Sequence, residues 1–540
     1  MQTMRTARRQ MALALCLCAG LLAAAGCDEP TRSEAVAAVE LAVPTTRLAV
    51  GQSIQLSAAV RGAAGQVLSG RGVAWSSSNE AVATVDGGGR VTGRAPGPVT
   101  ITAAAGGKQE RVELVVEAAA TAPGPVARVS MEPDSFLLVV GNTVAIRVPT
   151  EDHAANARAR ILAVPRDAAG AVLLWLPVRF TTSDAAVATV SDSGVVRAVA
   201  PGTAVITAQV GTAEGRLAVT VERPWTTTYL GTLPGTPESV ATAISPLGQV
   251  VGRSGGRGWS WQDGRMTELA IPDSLGTGAS VFPGAVNARG QVGGTVIAPS
   301  GQYIAQWEGG RVTLVPSSTT WPNTRFGGMN ERGEMVGSWV ADRCTNNCLG
   351  VGWIYRAGQV SQVGTTNTLS QLTLAAINDR GQIAASREFR SVGGALLFEN
   401  AAAEPTPLPT NPGSSNAADI DEQGRVYGQD YVNFEVRGFV WSPATGVRHF
   451  KPLPGGAISG PTRANNLGLA VGRSACAGCP ALLPVIFRDG RAIRIEDLLA
   501  GGDWIWETAA DVNDRGQVVG WGTHRATGVR GALLLTPPAP

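Results

Sequence analysis

The residues that could carry out catalysis in this 540-residue sequence are few and far apart. Its three histidines, His153, His449 and His524, fall in different segments, whereas a catalytic triad or a histidine metal cluster needs such side chains at one point. The string Gly252-Arg-Ser254-Gly-Gly256 matches the turn that presents a hydrolase serine, but that turn must lead into a helix, and a strand-like segment follows here. We therefore predict no catalytic residue, no cofactor and a protein that is not an enzyme.

One carboxylate-rich segment, Asp419-Ile-Asp421-Glu-Gln-Gly424, raises the question of calcium. Calcium takes about six to eight oxygen ligands, and the other copies of this pattern supply only one or two such side chains each. An Asn, Asp or Ser three residues before a Gly is instead typical of a tight turn. We interpret the segment as turn chemistry and predict no metal-binding residue.

The seven cysteines divide by position. Three lie near the N-terminus, and four form two close pairs: Cys16, Cys18 and Cys27, then Cys344 with Cys348 and Cys476 with Cys479. In an exported protein, such local pairs predict two disulfides. A four-cysteine zinc site is the alternative. It is disfavoured because the pairs fall on roughly opposite sides of the ring predicted below, whereas zinc needs every sulfur about 2.3 Å from one centre.

The N-terminal segment has the layout of an export signal. Arginines precede an apolar run from Met11 to Ala25, which is shorter than the roughly 20 residues of a membrane-spanning helix. The run ends in Ala24-Ala-Gly-Cys27, which resembles a bacterial lipobox, although Ala24 stands where that pattern prefers Leu. The resemblance implies a signal peptide over 1–26, lipid attachment at Cys27 and a lipidated tether over 27–38. We expect a cell-envelope protein held to a bacterial membrane by this lipid, periplasmic or surface-exposed; a plain signal peptide cut nearby is the alternative.

The composition excludes one class of partner and favours one class of fold. The net charge is +2, 16% of the residues are charged and no long basic run occurs, so we expect no binding to nucleic acid. The 68 glycines, with abundant Val, Thr, Ser and Ala, are typical of many short strands joined by tight turns. A chain of this length is expected to form about three domains.

Two successive segments repeat one pattern. Trp75-Ser-Ser-Ser-Asn79 and Val82-Ala-Thr-Val85 in the first copy correspond to Phe180-Thr-Thr-Ser-Asp184 and Val187-Ala-Thr-Val190 in the second. Short alternating apolar and polar runs broken by Gly, Pro, Asn or Asp predict antiparallel sandwiches. Both copies resemble the group 2 bacterial immunoglobulin-like domain, which implies Ig-like domains over 39–118 and 125–222 that act as a stalk.

From residue 226 a shorter unit recurs seven times. Each unit contains an apolar residue, then Asn, Asp or Ser, two variable residues and a Gly, and the seven glycines are Gly248, Gly290, Gly333, Gly381, Gly424, Gly468 and Gly516. They lie 42 to 48 residues apart, a period typical of propeller blades. A third strand ends in a large residue at Trp261, Trp307, Tyr355, Phe398, Trp441, Phe487 and Leu535, and we expect these side chains to pack between units.

The ends of this region predict a closed ring. The last unit lacks a fourth strand, and a spare strand at Thr226 to Leu233 precedes the first unit. Pairing the two would leave no exposed edge. The units resemble the HAF-type extracellular repeat family, which implies a propeller-like fold and no established activity. The predicted fold is all-β: two Ig-like β-sandwiches followed by a seven-bladed β-propeller of four-stranded blades over 226–537.

Loop lengths predict where a ligand would bind. The second-to-third strand loops and the connections between units are the longer ones, and both emerge on one face of a propeller. That face offers five candidate ligand-binding residues of types common at binding sites: Trp321, Arg325, Tyr431, Trp504 and Trp506. The alternative for Trp504 and Trp506 is that they begin a strand, with one of them buried.

These patterns predict a monomeric, non-enzymatic lipoprotein whose stalk presents a head that binds protein or glycan, in an adhesion or scaffold role. One alternative is a propeller-class enzyme acting on polysaccharide, which would require Asp and Glu side chains to converge near the central channel. Another is an envelope assembly factor.

Overall fold

The computed structural model of the chain describes residues 34–117, 125–150, 159–174, 176–316, 323–340, 350–364, 371–388, 394–411 and 414–539. The predicted signal peptide, Cys27, Trp321, Cys344 and Cys348 lie outside the described residues. The described part folds into β-strands and two short 3-10 turns, Asp273–Leu275 and Ile495–Leu498, with no α-helix, so the all-β prediction is confirmed. Within these residues no helix is long and apolar enough to cross a membrane. The chain divides into two compact units, 1–123 and 124–540.

The first compact unit holds nine described strands. They are β1 Ala38–Ala42, β2 Arg47–Ala49, β3 Ser53–Gln55, β4 Ser57–Arg61, β5 Ala74–Ser77, β6 Ala83–Val85, β7 Arg90–Gly93, β8 Gly97–Ala105 and β9 Lys108–Glu117. The sheets have the orders β2-β9-β8-β5, β3-β7-β6 and β1-β4. Their inward residues, among them Val91, Ile101 and Leu114, are completely buried in one core, as the alternating pattern predicts.

The second compact unit begins with a domain of the same plan. Its strands are β10 Arg128–Glu132, β11 Ser135–Val139, β12 Thr143–Arg147, β13 Ile161–Arg166, β14 Arg179–Thr182, β15 Ala188–Val190, β16 Val195–Ala198, β17 Gly202–Val210 and β18 Ala213–Glu222. Its two sheets have the orders β11-β18-β17-β14 and β10-β13-β12-β16-β15.

The prediction of antiparallel sandwiches is wrong for three strand pairs, one of which, β12 with β13, lies inside a sheet of the second domain. The edge strand β2 pairs parallel to β9, and β11 pairs parallel to β18 in the second domain. Trp75 in the first domain and Phe180, which replaces it in the second, occupy the same kind of position, packed on a glycine. Trp75 lies over Gly89 and Phe180 over Gly194, and a Cβ on either glycine would come within 3 Å of the ring.

The remaining strands of the second compact unit form the head, residues 226–537. They are β19 Thr226–Tyr229; β20 Val240–Ile244, β21 Val250–Ser254, β22 Arg257–Gln262, β23 Arg265–Glu268; β24 Ser280–Val286, β25 Val292–Ala298, β26 Gly301–Glu308, β27 Arg311–Leu314; β28 Asn323–Met329, β29 Met335–Val340, β30 Gly350–Arg356, β31 Gln359–Gln362; β32 Gln371–Ile377, β33 Ile383–Glu388, β34 Gly394–Phe398, β35 Thr406–Pro407; β36 Asn416–Ile420, β37 Val426–Val432, β38 Glu435–Ser442, β39 Gly446–His449; β40 Ser459–Ala464, β41 Ala470–Ser474, β42 Leu483–Arg488, β43 Arg491–Arg494; β44 Trp504–Val512, β45 Val518–His524 and β46 Arg530–Thr536.

Consecutive head strands pair antiparallel in groups of four, which we call units one to seven in chain order. Units three and four are joined through a single parallel pair, Gly350 with Gln371. The first strand of each unit packs against the first strand of the next, and β44 of the last unit packs against β20 of the first. The described first strands therefore follow one another around a ring.

The last unit takes its fourth strand from the start of the head. β19 pairs antiparallel with β46, with Thr226 opposite Thr536 and Tyr229 opposite Leu533. The predicted pairing of the spare strand with the incomplete unit is confirmed. Trp225, directly before β19, is buried in the core of this unit together with Trp506 and Leu533.

Candidate functional site

The tight turns between first and second strands meet at one end of the head, which we call the turn face. In every unit the amide of the Asn, Asp or Ser donates to the carbonyl four residues on, and the Gly amide donates back to the Asn, Asp or Ser carbonyl. The seven repeat glycines have φ between 74° and 93°, a conformation that Gly adopts without strain. The predicted turn chemistry is confirmed.

The turn side chains also join one unit to the next. Buried asparagines donate from Nδ2 to the turn carbonyl of the following unit, at 2.9 Å from Asn378 to Asp421 and 3.1 Å from Asn513 to Ser245, the latter linking unit seven to unit one. Asp421 cannot donate in this way. In its unit Arg425 binds the Asp421 carboxylate and donates to the Asn466 carbonyl of unit six at 2.9 Å.

A second set of hydrogen bonds between units involves the residue after each turn Asn or Asp, a position that the sequence pattern left as variable. Here a carboxylate or amide oxygen accepts the amide of the preceding unit: Glu331 from Ala288, Asp379 from Glu331, Glu422 from Asp379, Asn466 from Glu422 and Asp514 from Asn466, at 2.8 to 2.9 Å. The signal that could have found it is the run of acidic or amide residues at this one position in five consecutive units.

Two further carboxylates lie inside the channel wall. Both oxygens of Asp419 accept amides, from Ile420 at 3.0 Å and from Ala464 of the next unit at 2.8 Å. Asp511 does the same with Val512 and with Ile244 of unit one. Burial raises the pKa of Asp419 to about 6, although the nearby Arg463 charge opposes the shift, and burial also raises the pKa of Asp511.

The convergence of carboxylates that the enzyme alternative requires is therefore present. Asp419, Asp511, Glu331 and Glu422 line a space of about 190 Å³ at the turn end of the channel. Each of them accepts at least one backbone amide of a neighbouring unit, which gives it a structural role. No group of three or more His, Cys, Asp or Glu side chains in the described part of the chain could hold a metal ion.

The opposite end of the head, with the second-to-third strand loops and the connections between units, is the loop face. In unit six a disulfide joins Cys476 to Cys479, whose Cα atoms are 5.4 Å apart. In unit five a hairpin runs from Tyr431 to Glu435. Its base is fixed because Asp430 accepts the Asn411 amide at 3.1 Å and pairs with His449 at 3.0 Å.

The tip of this hairpin carries an aromatic residue that sequence reasoning did not single out. Phe434 is 90% exposed and has φ of 66°, following Asn433 at 50°. Turns with the same pair of positive φ angles join the third and fourth strands of units one, two, three and six, and all place Gly second: Gly264, Gly310, Gly358 and Gly490. A bulky side chain in this conformation is strained, and such strain concentrates at functional sites. The signal in the sequence was that Phe434 follows Asn433, whereas Gly usually follows Asn in a tight turn of this kind.

The remaining candidates separate by burial. Tyr431 is 42% exposed and contacts Phe434 edge-on, with ring centroids 6.5 Å apart, and Arg325 is exposed on β28. Trp506 is 3% exposed and donates to Thr227, so its assignment to the ligand surface is wrong and the alternative of a buried strand residue holds. Trp504 is half-buried and stacks on Tyr229 of the closing strand at 4.8 Å.

A cavity opens on the loop face between units five, six and seven, and we call it the loop-face pocket. Its volume is about 450 Å³. Polar groups of Gln429, Arg473 and Thr508 and the ring of Trp521 line it, and the exposed side chains of Ile458 and Leu482 stand at its mouth. The unit-five hairpin adjoins it, because the Val436 amide donates to the Ala457 carbonyl at 3.0 Å.

Family models recognise the two N-terminal domains. Residues 35–116 match the bacterial Ig-like domain of group 2, and residues 178–223 match the bacterial Ig-like domain. The chain carries two bacterial Ig-like domains. These domains indicate an extracellular or surface location for this β-rich protein.

No curated protein matches the chain. Among solved structures, it is similar to domains 4 and 5 of the S-layer protein SbsC, with 20% identity over 35% of this chain and 98% of that one and a TM-score of 0.22. It is also similar to streptogramin B lyase, with 13% identity over 58% of this chain and 98% of that one and a TM-score of 0.34. The β-propeller domain of the Trilobed protease from Pyrococcus furiosus covers 54% of this chain and 90% of its own, with 10% identity and a TM-score of 0.33. All three TM-scores lie below 0.5, so these likenesses do not bear on function.

Proposed function

We propose that this chain is a bacterial surface protein whose head is a closed seven-bladed propeller that binds a protein or a glycan through its loop face. The four-stranded units, the ring of first strands and the pairing of β19 with β46 support the propeller. The resemblance of the repeats to the HAF-type family supports it independently. The protein acts by binding, in adhesion or as a scaffold, and is not an enzyme.

The observation that carries this proposal is Phe434. An apolar ring that is 90% exposed contributes little to packing, and its backbone conformation costs roughly 1–3 kcal/mol. Gly would remove that cost, as it does in the four comparable turns. Phe434 thus lowers the stability of the folded chain and is exposed beside a cavity. Contact of its ring with a partner explains both features.

The second Ig-like domain would support the head directly. Glu222 pairs with Arg488 at 2.8 Å, and Asn142 donates to the Leu499 carbonyl at 2.8 Å. Arg160 pairs with Asp497, and Arg491 donates to Ser135 at 2.6 Å. We propose that this domain holds the head in a fixed orientation and that the lipid on Cys27 anchors the chain to the membrane.

The enzyme alternative has one observation in its favour, the convergence of carboxylates at the turn end of the channel. A general acid or nucleophile must be free to reach a substrate. Both oxygens of Asp419 and Asp511 are already engaged by backbone amides, which favours binding over catalysis.

The test is co-sedimentation of the full chain with isolated envelope polysaccharide and with envelope membrane protein. Wild-type protein should bind one of these fractions, and Phe434→Gly should lose most of that binding. Leu467→Ser is the matched control, because Leu467 is 75% exposed but lies on the turn face. Unchanged binding by Phe434→Gly, or loss of binding in Leu467→Ser, would contradict the proposal.

A further inference from the structure

The lining of the loop-face pocket is positively charged. Its wall contains Arg463 and Arg473, and none of its lining residues is acidic. The volume of about 450 Å³ falls within the range of about 300–1,000 Å³ typical of small-ligand sites. A concave site of this charge is complementary to an anion.

Arg473 is the more accessible of the two. It is exposed near the end of β41, and within the described part of the chain it donates a hydrogen bond to the Thr508 hydroxyl of unit seven, at 3.4 Å. No carboxylate of the described chain lies within 4.0 Å of it. Elsewhere on the head, Arg257, Arg437 and Arg488 each pair with a glutamate. The Arg473 guanidinium thus keeps its donors available for a ligand.

Arg463 is half-buried. It borders both the pocket and the channel space on the turn side. Its Nη1 donates to the Ala418 carbonyl at 3.3 Å and to its own neighbour, the Thr462 carbonyl, at 2.9 Å, which fixes the guanidinium. The carboxylates of Asp419 and Asp511 accept backbone amides and form no ion pair with Arg463 within 4.0 Å. Arg463 therefore forms no direct ion pair in the described part of the chain, and its charge interacts with the two carboxylates through space.

The uncharged lining narrows the ligand class. Trp521 supplies a partly exposed aromatic ring, and Gln429 supplies an amide that lies against Gly460, where a Cβ would come 2.0 Å from Nε2. An open pocket with one ring, one amide and two guanidinium groups suits a compact polar ligand. An acidic protein partner would instead need a broad interface, on the order of 1,000 Å² or more.

We propose that the loop-face pocket binds a carboxylate-bearing sugar residue of a glycan. Arg473 and Arg463 hold the carboxylate, for which the planar guanidinium is suited, and Trp521 packs against the sugar ring. This rests on the proposed function of the loop face and assigns its ligand class.

The experiment is calorimetric titration of the full chain with oligosaccharides of galacturonate, hyaluronate and alginate, each as the free carboxylate and as the methyl ester. At least one carboxylate form should bind, and its methyl ester should bind at least tenfold more weakly. Arg473→Gln should weaken binding of the carboxylate form at least tenfold. Arg448→Gln, which removes an exposed arginine on the outer strand β39, should leave it unchanged. Trp521→Phe, which keeps a ring in the wall, should weaken it less than Arg473→Gln does.

Equal binding of acid and ester, binding that survives Arg473→Gln, or failure of all three carboxylate forms to bind would overturn the assignment. Preferential binding of polyglutamate would overturn it in favour of an acidic protein partner. If the carboxylated glycans fail while wild-type chain still sediments with the envelope in a Phe434-dependent way, the ligand class is wrong and the loop-face function stands. If that sedimentation fails as well, both are wrong.

Discussion

Phe434 and Gly264 occupy the same place in two turns of like geometry, with φ of 66° and 84°. We expect Phe434→Gly to leave the free energy of unfolding unchanged or to raise it by up to about 1 kcal/mol. Relief of backbone strain outweighs the extra freedom of Gly in the unfolded chain. The reciprocal change, Gly264→Phe, should lower it by roughly 1 kcal/mol, since a Cβ there meets no atom and only the backbone is strained.

Urea unfolding of both variants measures this pair of effects. A marked loss of stability in Phe434→Gly would show that Phe434 stabilises the hairpin. The exposed Phe434 side chain would then be explained by its effect on stability, without a binding partner.

The buried Asp419 carboxyl group predicts a pH dependence of stability. Burial raises its pKa from 3.8 to about 6 in the folded chain. The folded state then binds a proton more tightly than the unfolded chain does. The contribution of Asp419 to stability is therefore fully present below about pH 4 and is lost as the pH rises through about 6.

We expect the unfolding free energy of wild type, relative to Asp419→Asn, to fall by as much as about 2.5 kcal/mol between pH 4 and pH 7. Asn does not titrate, so the variant lacks the ionisation of Asp419, while Asp511, whose pKa burial also raises, is present in both proteins. Unfolding curves of both proteins across this pH range measure it. A difference that is constant with pH, or that grows as the pH rises, would contradict the burial of Asp419.

At the scale of the strands, ring closure depends on β19 and β46, which come from opposite ends of the head. Thr226 lies opposite Thr536 in this pairing. We expect the double variant Thr226→Cys, Thr536→Cys to form a disulfide in the oxidised protein and to raise the melting temperature, because the link constrains the unfolded chain. Non-reducing peptide mapping and thermal melts measure the two effects.

The control pairs Thr226→Cys with Thr313→Cys on the outer strand of unit two, which should not cross-link. Absence of the 226–536 link, or equal linking in the control, would contradict closure through these strands.

The features of the strands that depend on residues close together in the sequence were predictable. The Asn-to-Gly turns follow from backbone preferences, and large third-strand residues such as Trp307 and Phe487 bury between units because apolar area drives them there. Trp506 and Phe434 could not be ranked in advance. Their exposure depends on where β19 and the hairpin tip lie, which only long-range pairing decides. The parallel strand pairs of the Ig-like domains were likewise set by tertiary pairing and not by alternation.

Within the second compact unit, Glu222 contacts unit six, and Asn142 and Arg160 contact the segment 495–499 that follows it, which joins the second Ig-like domain to the head. These residues lie in a domain whose sequence predicted only a stalk. The ion pair between Glu222 and Arg488 links residues far apart in the chain, so it could be found only from the folded structure. In the function proposed above, this domain holds the head and leaves the loop face of unit five to meet a partner.

Hydrogen exchange of the full chain, with and without the envelope fraction that it sediments with, tests most directly whether the loop face binds. Amides in 429–437, 457–460 and 475–482 should exchange more slowly in the bound sample, because a partner seated on the unit-five hairpin and the loop-face pocket covers them. Amides of the turn face, such as those of 245–249 and 513–517, should exchange at the same rate in both samples. Protection confined to the turn face or to the Ig-like domains, with the loop face unchanged, would contradict the proposed function.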